Sequence, residues 1–142
     1  QSVKDEYGRN IWNGIRETNS LKEAFYVDGD TNESLREEYK SRMENGENKV
    51  LIATYGTFST GISINNLHNI FLVESYKSEV LIKQSLGRGM RKMEGKEKVN
   101  IIDFVDDFST VGYKNYLMKH SEARIAIYRN ENFDYKIFRV TL

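Results

Sequence analysis

The stretch QSLGRGMRK, at residues 84–92, carries the side chains of this chain that are best suited to phosphate chemistry. On a helix with 100° per residue, Arg88 lies about 40° and Arg91 about 20° from Gln84, so the three share one face. A guanidinium group donates paired hydrogen bonds that match phosphate oxygens, and a lysine ammonium group does not reproduce this fork. The stretch therefore predicts a helix that presents two arginines to a phosphate or carboxylate outside this domain. The alternative is a helix end whose surface arginines form weak ion pairs.

Two glycines and the surrounding charge add to this interpretation. Gly87 and Gly89 each lower helix stability by about 1 kcal/mol relative to alanine, which is tolerated where a ligand or backbone comes close or where the helix ends. The chain has 21 basic and 21 acidic residues, so its net charge does not argue for a nucleic-acid partner. Residues 77–98 nevertheless carry more bases than acids, and this region either meets polyanions or is a solvated face.

Composition excludes several classes of site. The chain has no cysteine, which excludes disulfides and thiolate chemistry and is compatible with a cytoplasmic location. His68 and His120 are the only histidines, and no carboxylate pattern beside them suggests a metal site. No apolar run approaches the ~20 residues that a membrane helix needs, so no membrane partner is expected.

The apolar pattern alternates between helices and strands, which predicts an α/β fold with a parallel sheet flanked by helices. Asp30 and Glu33 have the spacing of a helix N-cap pair, and residues 54–61 look like a loop of small residues. The tail is predicted as a helix over residues 113–130 followed by a strand over residues 137–142. Strands are predicted at residues 24–27, 50–53, 70–73 and 99–105, and the earlier helices near residues 3–15, 35–43 and 78–91.

Residues 101–107, with the sequence IIDFVDD, have the form of a strand that ends in a magnesium-binding acid. They follow the arginine stretch rather than a phosphate-binding loop, and no G-x-x-x-x-G-K-[ST] sequence occurs in the chain. We therefore expect these acids to cap the next turn rather than to bind a metal. Without that loop, we also expect negligible ATPase activity from these 142 residues alone.

Three sequence features resemble the second RecA-like domain of superfamily 2 helicases when they are taken in order. Gln84-x-x-Gly87-Arg88-x-x-Arg91 resembles motif VI, and residues 50–54 followed by residues 61–64 resemble motif V. Upstream, the chain has the residue spacing of the segment that precedes motif V in these helicases, at Gly29, Arg36, Met43 and Gly46. The amino-acid sequence of residues 54–63 is similar to that of phage recombination helicases of the UvsW type.

The resemblance implies a RecA-like domain at residues 1–110, with its first strand missing at the N-terminus. It also implies a helix-strand extension at residues 111–142, packed on the same domain. In such enzymes ATP with Mg²⁺ lies between two RecA-like domains, and the absent N-terminal one holds the magnesium. By resemblance Arg91 is the arginine finger, Arg88 contacts the same phosphate, and Gln84 links the nucleotide to domain closure.

The resemblance also places Gly61, Ser63 and Gly87 at the nucleotide. Ser63 departs from the family, because many relatives carry there an aspartate that contacts the ribose. Sequence-independent contacts to DNA, branched or single-stranded, are implied for residues after two of the predicted strands, where backbone N–H groups suit a sugar-phosphate backbone. These residues are Gly29, Thr54, Tyr55, Gly56, Ser59 and Thr60.

The function implied is that of an ATP-dependent DNA helicase motor in recombination or fork repair, working with an N-terminal RecA-like domain. Tyr55 and Phe58 could stack on bases, although core packing is the expected use of Phe58. Two alternatives stay open: the translocase motor of a restriction enzyme, and a non-catalytic remnant that binds nucleic acid.

Overall fold

A computed structural model describes residues 3–18, 23–74, 83–84, 87, 98–113 and 115–140 of the chain. The predicted alternation of helices and strands is present in these residues. The elements follow in the order α1 (Val3–Thr18), β1 (Glu23–Val27), α2 (Glu33–Glu44), β2 (Lys49–Ala53), α3 (Tyr55–Gly61), β3 (Asn69–Leu72), β4 (Asn100–Asp103) and α4 (Tyr116–Asn130).

The first half of the fold is built on the parallel pair β1–β2. Val27 lies opposite Ala53 at the carboxyl ends of the two strands, and α2 supplies the crossover that parallel strands require. Helix α1 packs on both strands, and the indole Nε1 of Trp12 donates to the carbonyl O of Ala24 at 2.9 Å. The buried core of this half consists of Phe25, Val27, Met43, Ile62 and Ile64.

The N-cap of helix α2 lies two residues later than predicted. We expected Asp30 to be the N-cap, but the cap is Asn32, whose side chain accepts a hydrogen bond from the backbone N of Leu35 at 2.8 Å. The prediction was wrong because Asp30 belongs to a turn organised by Asp28, to whose carboxylate its own backbone N donates. Asparagine is as good a cap as aspartate, so the helix loses nothing by the later start.

Residues 54–61, which we predicted to be a loop, fold as the short helix α3 with Thr54 as the N-cap. The carbonyl O of Thr54 accepts from the backbone N of Phe58 at 3.0 Å. Phe58 packs against the core, as expected for this side chain, and Thr57 and Ser59 are buried. Burial of one face outweighs the weak helix propensity of glycine, serine and threonine, which is why the composition alone was misleading.

The second half of the fold is the parallel pair β3–β4, in which Leu72 lies opposite Asp103. Helix α4 packs on this pair by burying Ile127 and Tyr128 against Ile101. In the described part of the chain, the four strands thus form two parallel pairs rather than one continuous ladder.

The predicted C-terminal strand is not formed at residues 137–140, which have no regular secondary structure, while residues 141–142 lie outside the described part. After α4 the chain turns at Asn132, which adopts a left-handed conformation with φ 55°, and the backbone N of Phe133 donates to the carbonyl O of Tyr128. Beyond this turn Ile137 and Phe138 are exposed. Alternation of apolar and polar residues was therefore not sufficient to predict a strand, because a strand also needs a neighbouring strand as hydrogen-bond partner.

Ile64 provides a test of the first core. Its side chain is fully buried, so we expect Ile64→Ala to lower the free energy of unfolding by about 2–5 kcal/mol. Val111→Ala is the matched control, because Val111 is fully exposed beside Gly112, and its effect should stay within about 0.5 kcal/mol. Urea unfolding followed by the fluorescence of Trp12 measures both variants. Equally small effects would contradict the placement of Ile64 in the core.

Candidate nucleotide and nucleic-acid interface

Two of the segments predicted to bind nucleic acid lie side by side at the carboxyl ends of β1 and β2. Gly29 follows β1 and Thr54 follows β2, and the strands are paired up to their last residues. The pairing extends one step further, because the backbone N of Thr54 donates to the carbonyl O of Val27 at 3.3 Å. Residues 25 positions apart in sequence thus reach the same edge, which is where parallel α/β folds bind their ligands.

Asp28 organises the turn that carries Gly29. Its Oδ1 accepts from the backbone N of Asp30 at 3.1 Å and from the backbone N and hydroxyl of Thr31 at 3.0 and 2.8 Å. Its Oδ2 pairs with the guanidinium of Arg9 at 3.1 Å. Burial by itself raises the pKa of Asp28, but the hydrogen bonds from Thr31 and Asp30 and the charge of Arg9 outweigh it, so the pKa is lowered. The turn is therefore built around an ionised carboxylate.

Arg36, on the first turn of α2, holds the same turn from the other side. Its Nη2 donates to the carbonyl O atoms of Asp28 at 2.9 Å and Gly29 at 3.0 Å. Gly29 itself is exposed, and a Cβ atom added to it would meet nothing within 4 Å. The backbone at Gly29 is thus fixed in position and open to a ligand.

The segment after β2 presents its backbone rather than its hydroxyl groups. Gly56 is exposed, and a Cβ atom added there would meet nothing within 4 Å. The hydroxyl of Ser59 is buried and donates to the carbonyl O of Gly56 at 3.1 Å. Thr54 Oγ1 lies 2.9 Å from Thr57 Oγ1. The side chain of Thr60 lies outside the described part, so among these residues Gly56 is the one that is open to a ligand.

Tyr55 is directed inwards rather than towards solvent. It is half-buried, and its hydroxyl donates to the carbonyl O of Glu74, just beyond β3, at 3.1 Å. Burial raises its pKa to about 12, while the charge of Arg124 lowers it and that of Asp103 raises it. This side chain connects the two strand pairs at their carboxyl ends.

Only some of the residues predicted to contact ATP lie in the described part of the chain. Gln84 and Gly87 are helical and exposed, and a Cβ atom added to Gly87 would meet nothing within 4 Å. Arg88 and Arg91 lie outside the described residues, and so does the surface of Gly61. The hydroxyl of Ser63 is buried and has no hydrogen-bond partner in the described part of the chain. A ligand can therefore reach Gln84 and Gly87, whereas the Ser63 hydroxyl is enclosed.

A buried cluster at the end of β4 was not predicted. The carboxylate of Asp103 accepts from Nε and Nη2 of Arg124, both at 2.8 Å, and from the hydroxyl of Tyr128 at 2.8 Å. We expected the acids of residues 101–107 to cap the next turn. Asp107 does so, by accepting from the backbone N of Ser109 at 3.0 Å, but Asp103 binds α4 instead. An arginine on the apolar side of the predicted tail helix was the available signal, because a buried guanidinium requires an acidic partner.

Two negative findings apply to the described residues. In those ranges there is no group of three or more histidine or acidic side chains that could hold a metal ion. None of the helices described is both long and apolar enough to span a bilayer.

The parallel strand pairs with helices packed on them define an α/β domain. Residues 10–93 match the family model described as the helicase conserved C-terminal domain. That range includes the segment after β2 and the whole stretch from Gln84 to Arg91. The chain belongs to this family, which confirms the resemblance to the C-terminal RecA-like domain of helicases.

One further comparison supports this assignment, and another supports the fold. Over 96% of its length the chain is 34% identical to the "ATP-dependent DNA helicase uvsW" of Enterobacteria phage T4, and the match covers 29% of that protein. The fold is similar to the crystal structure of the C-terminal part of the Fun30 ATPase domain, with a TM-score of 0.58 and 14% sequence identity over 86% of this chain and 45% of that chain. These findings confirm the RecA-like α/β fold, and the chain spans less than a third of the phage helicase.

Asp28 makes the stability of the domain dependent on pH. Because the folded pKa lies below the ordinary value of 3.8, its contribution is present above that value and is lost as the pH falls through the folded pKa. We expect Asp28→Asn to be less stable near pH 7 and to lose less stability on acidification to about pH 2. Thr31→Val removes one donor and keeps the carboxylate. The stability that it loses on acidification should lie between the losses of wild type and Asp28→Asn. Urea unfolding at several pH values measures this, and a wild-type slope in Asp28→Asn would contradict it.

Proposed function

We propose that this chain is the C-terminal motor domain of an ATP-dependent DNA helicase. Residues 1–110 would be its second RecA-like domain and residues 111–142 an extension packed on it. One observation carries the proposal: the helicase family match over residues 10–93 includes both the segment after β2 and the arginine stretch. The packing of α4 against β4 supports the placement of the extension.

The nucleotide side of the proposal rests on Gln84, Gly87, Arg88 and Arg91. ATP with Mg²⁺ supplies the phosphoryl group, and the N-terminal RecA-like domain would hold the magnesium. Exposure of Gln84 and the open space at Gly87 fit a ligand that approaches this helix. In this arrangement Arg91 places a cation at the γ-phosphate and Arg88 binds a further oxygen of it, which lowers the energy of the charge that develops during transfer.

The nucleic-acid side rests on the two turns at the carboxyl ends of β1 and β2. Gly29 and Gly56 are both exposed and have open space around them, so a sugar-phosphate backbone can approach the peptide N–H groups closely. Contacts of this kind carry no base readout, and binding would be independent of sequence. Ser59 and Thr54 would act by holding the segment in shape, since their hydroxyls bind within it.

The similarity to a protein named as a DNA helicase supports DNA as the nucleic acid, and we propose that the DNA is bound in branched or single-stranded form. We further propose a role in recombination or fork repair, carried out in the cytoplasm of the host cell. An assay of strand displacement on forked DNA tests the helicase assignment, because a translocase without unwinding activity would move along the DNA without releasing a strand.

Arg91 provides the test of the nucleotide role. In the complete enzyme, we expect Arg91→Ala to lower DNA-stimulated ATP hydrolysis by about 10³- to 10⁵-fold, because the cation at the γ-phosphate is lost. DNA affinity should change little. Lys92→Ala, which removes the adjacent positive charge, is the control and should keep most of the activity. Parallel loss of DNA affinity and hydrolysis in Arg91→Ala would point to a folding role or to a DNA contact instead.

Gly56 provides the test of the nucleic-acid role. Gly56→Glu adds a carboxylate at the proposed phosphate path, at a position where an added Cβ atom meets nothing within 4 Å, so we expect DNA affinity to fall about tenfold at low salt. Gly14→Glu is the matched control, because Gly14 on α1 also has nothing within 4 Å of an added Cβ. Fluorescence anisotropy of labelled single-stranded DNA measures both. Equal effects of the two variants would show that net charge, rather than the position of Gly56, decides affinity.

A further inference from the structure

The ion pair between β4 and α4 is the most completely enclosed charged contact in the described part of the chain. Arg124 is fully buried and donates two hydrogen bonds of 2.8 Å to the two carboxylate oxygens of Asp103. Tyr128, one turn further along α4, donates a third at 2.8 Å. Two positions of α4 are thereby fixed to the last residue of β4.

Stability alone does not account for such a pair. Both charges lose hydration on burial, and well-packed apolar residues of similar volume are often as stabilising as a buried ion pair. A bidentate guanidinium–carboxylate contact differs from apolar packing in one respect, because it fixes both the distance and the orientation of its partners. The property to explain is therefore the geometry that this contact imposes.

The strand end that α4 holds is connected to the segment after β2. Asp103 lies opposite Leu72 in the β3–β4 pair, and the backbone N of Phe104 donates to the carbonyl O of Leu72 at 3.0 Å. Two residues beyond Leu72, the carbonyl O of Glu74 accepts from the Tyr55 hydroxyl at 3.1 Å. A continuous series of contacts therefore runs from α4 through the ends of β4 and β3 to the first residue of α3.

The electrostatics of Tyr55 are consistent with this arrangement. Burial raises the pKa of its hydroxyl to about 12, and the charges of Arg124 and Asp103 act on it in opposite directions. The two charges are therefore near enough to influence the hydroxyl. Because burial raises this pKa, the Tyr55 hydroxyl stays a neutral donor for the Glu74 carbonyl.

We propose that Asp103, Arg124 and Tyr128 are positioning residues for the segment of residues 54–61: by holding α4 on the end of β4, they fix the paired end of β3, just beyond which Tyr55 binds. The extension is then required for the placement of the Gly56 backbone and not only for folding. The effect on nucleic acid rests on the proposed function, whereas the effect on α3 does not.

Hydrogen exchange tests the structural half of the proposal in the 142-residue chain. The backbone N of Phe58 donates to the carbonyl O of Thr54, so its amide reports on the first turn of α3. We expect Arg124→Met and Tyr128→Phe to lower its protection, by about tenfold in the former. Lys119→Met is the matched control, because Lys119 lies exposed on the same helix and loses the same charge. Unchanged protection of Phe58 in Arg124→Met would overturn the proposal.

A double variant separates positioning from a loss of stability. Arg124→Met or Asp103→Asn alone leaves one buried partner unmatched, whereas the double variant removes both charges and keeps an acceptor for the Tyr128 hydroxyl. We expect urea unfolding to show a more stable double variant than either single one. Protection of Phe58 should stay low in all three, and the affinity for labelled single-stranded DNA should stay about 2- to 30-fold below wild type.

The outcomes are distinguishable. Recovery of stability, Phe58 protection and DNA affinity together in the double variant would overturn the proposal, because the ion pair would then act only through folding. If the single variants do not fold, stability, Phe58 protection and DNA affinity are compared between wild type and Tyr128→Phe, which keeps the ion pair. If the wild-type chain does not bind DNA, the nucleic-acid side of the proposed function fails, while the exchange of the Phe58 amide still decides the positioning role.

Discussion

Parallel pairing of neighbouring strands is the constraint on which the rest of this structure depends. Parallel strands point their carboxyl ends to the same edge, so the turn after β1 and the segment after β2 become neighbours as soon as Val27 and Ala53 are paired. The same geometry brings the end of β3 beside Asp103 at the end of β4. Polar groups are then arranged around these strand ends, and each candidate contact with a ligand is a consequence of that arrangement.

The sequence predicted the strands because buried parallel strands are continuous apolar runs, such as residues 50–53. It predicted the helices less well where local rules competed with tertiary packing. Residues 54–61 are rich in poor helix formers, yet α3 forms because Phe58 is drawn into the core and Thr54 caps the first turn. The cap of α2 moved from Asp30 to Asn32 because the Asp28 carboxylate recruits the residues between them. Such competition is decided by contacts that a local pattern does not contain.

The candidate site was predictable as a set of positions and less so as a set of exposed groups. The resemblance to helicases pointed to Gly29, Gly56 and Gln84, all of which are exposed, but it gave no information that Ser59 is buried with its hydroxyl bound to the backbone. The partner of Arg124 was likewise hidden, because Asp103 is 21 residues away and looked like part of an acidic strand end. Pairings of this kind are set by how α4 docks on β4, which one sequence does not specify.

Asp28 places a carboxylate at the edge where a polyanion is proposed to pass, and this has an electrostatic consequence. The guanidinium of Arg9, 3.1 Å from Oδ2 and stacked 4.9 Å from the centre of the Tyr26 ring, compensates the charge, so that a phosphate would meet a dipole instead of a bare anion. The compensation is supplied by α1, a helix that is not proposed to contact the nucleic acid. Any partner or modification that drew Arg9 away would weaken this compensation and leave Arg36 as the remaining cation at the turn among the described residues, with the largest effect at low ionic strength, where the field extends furthest.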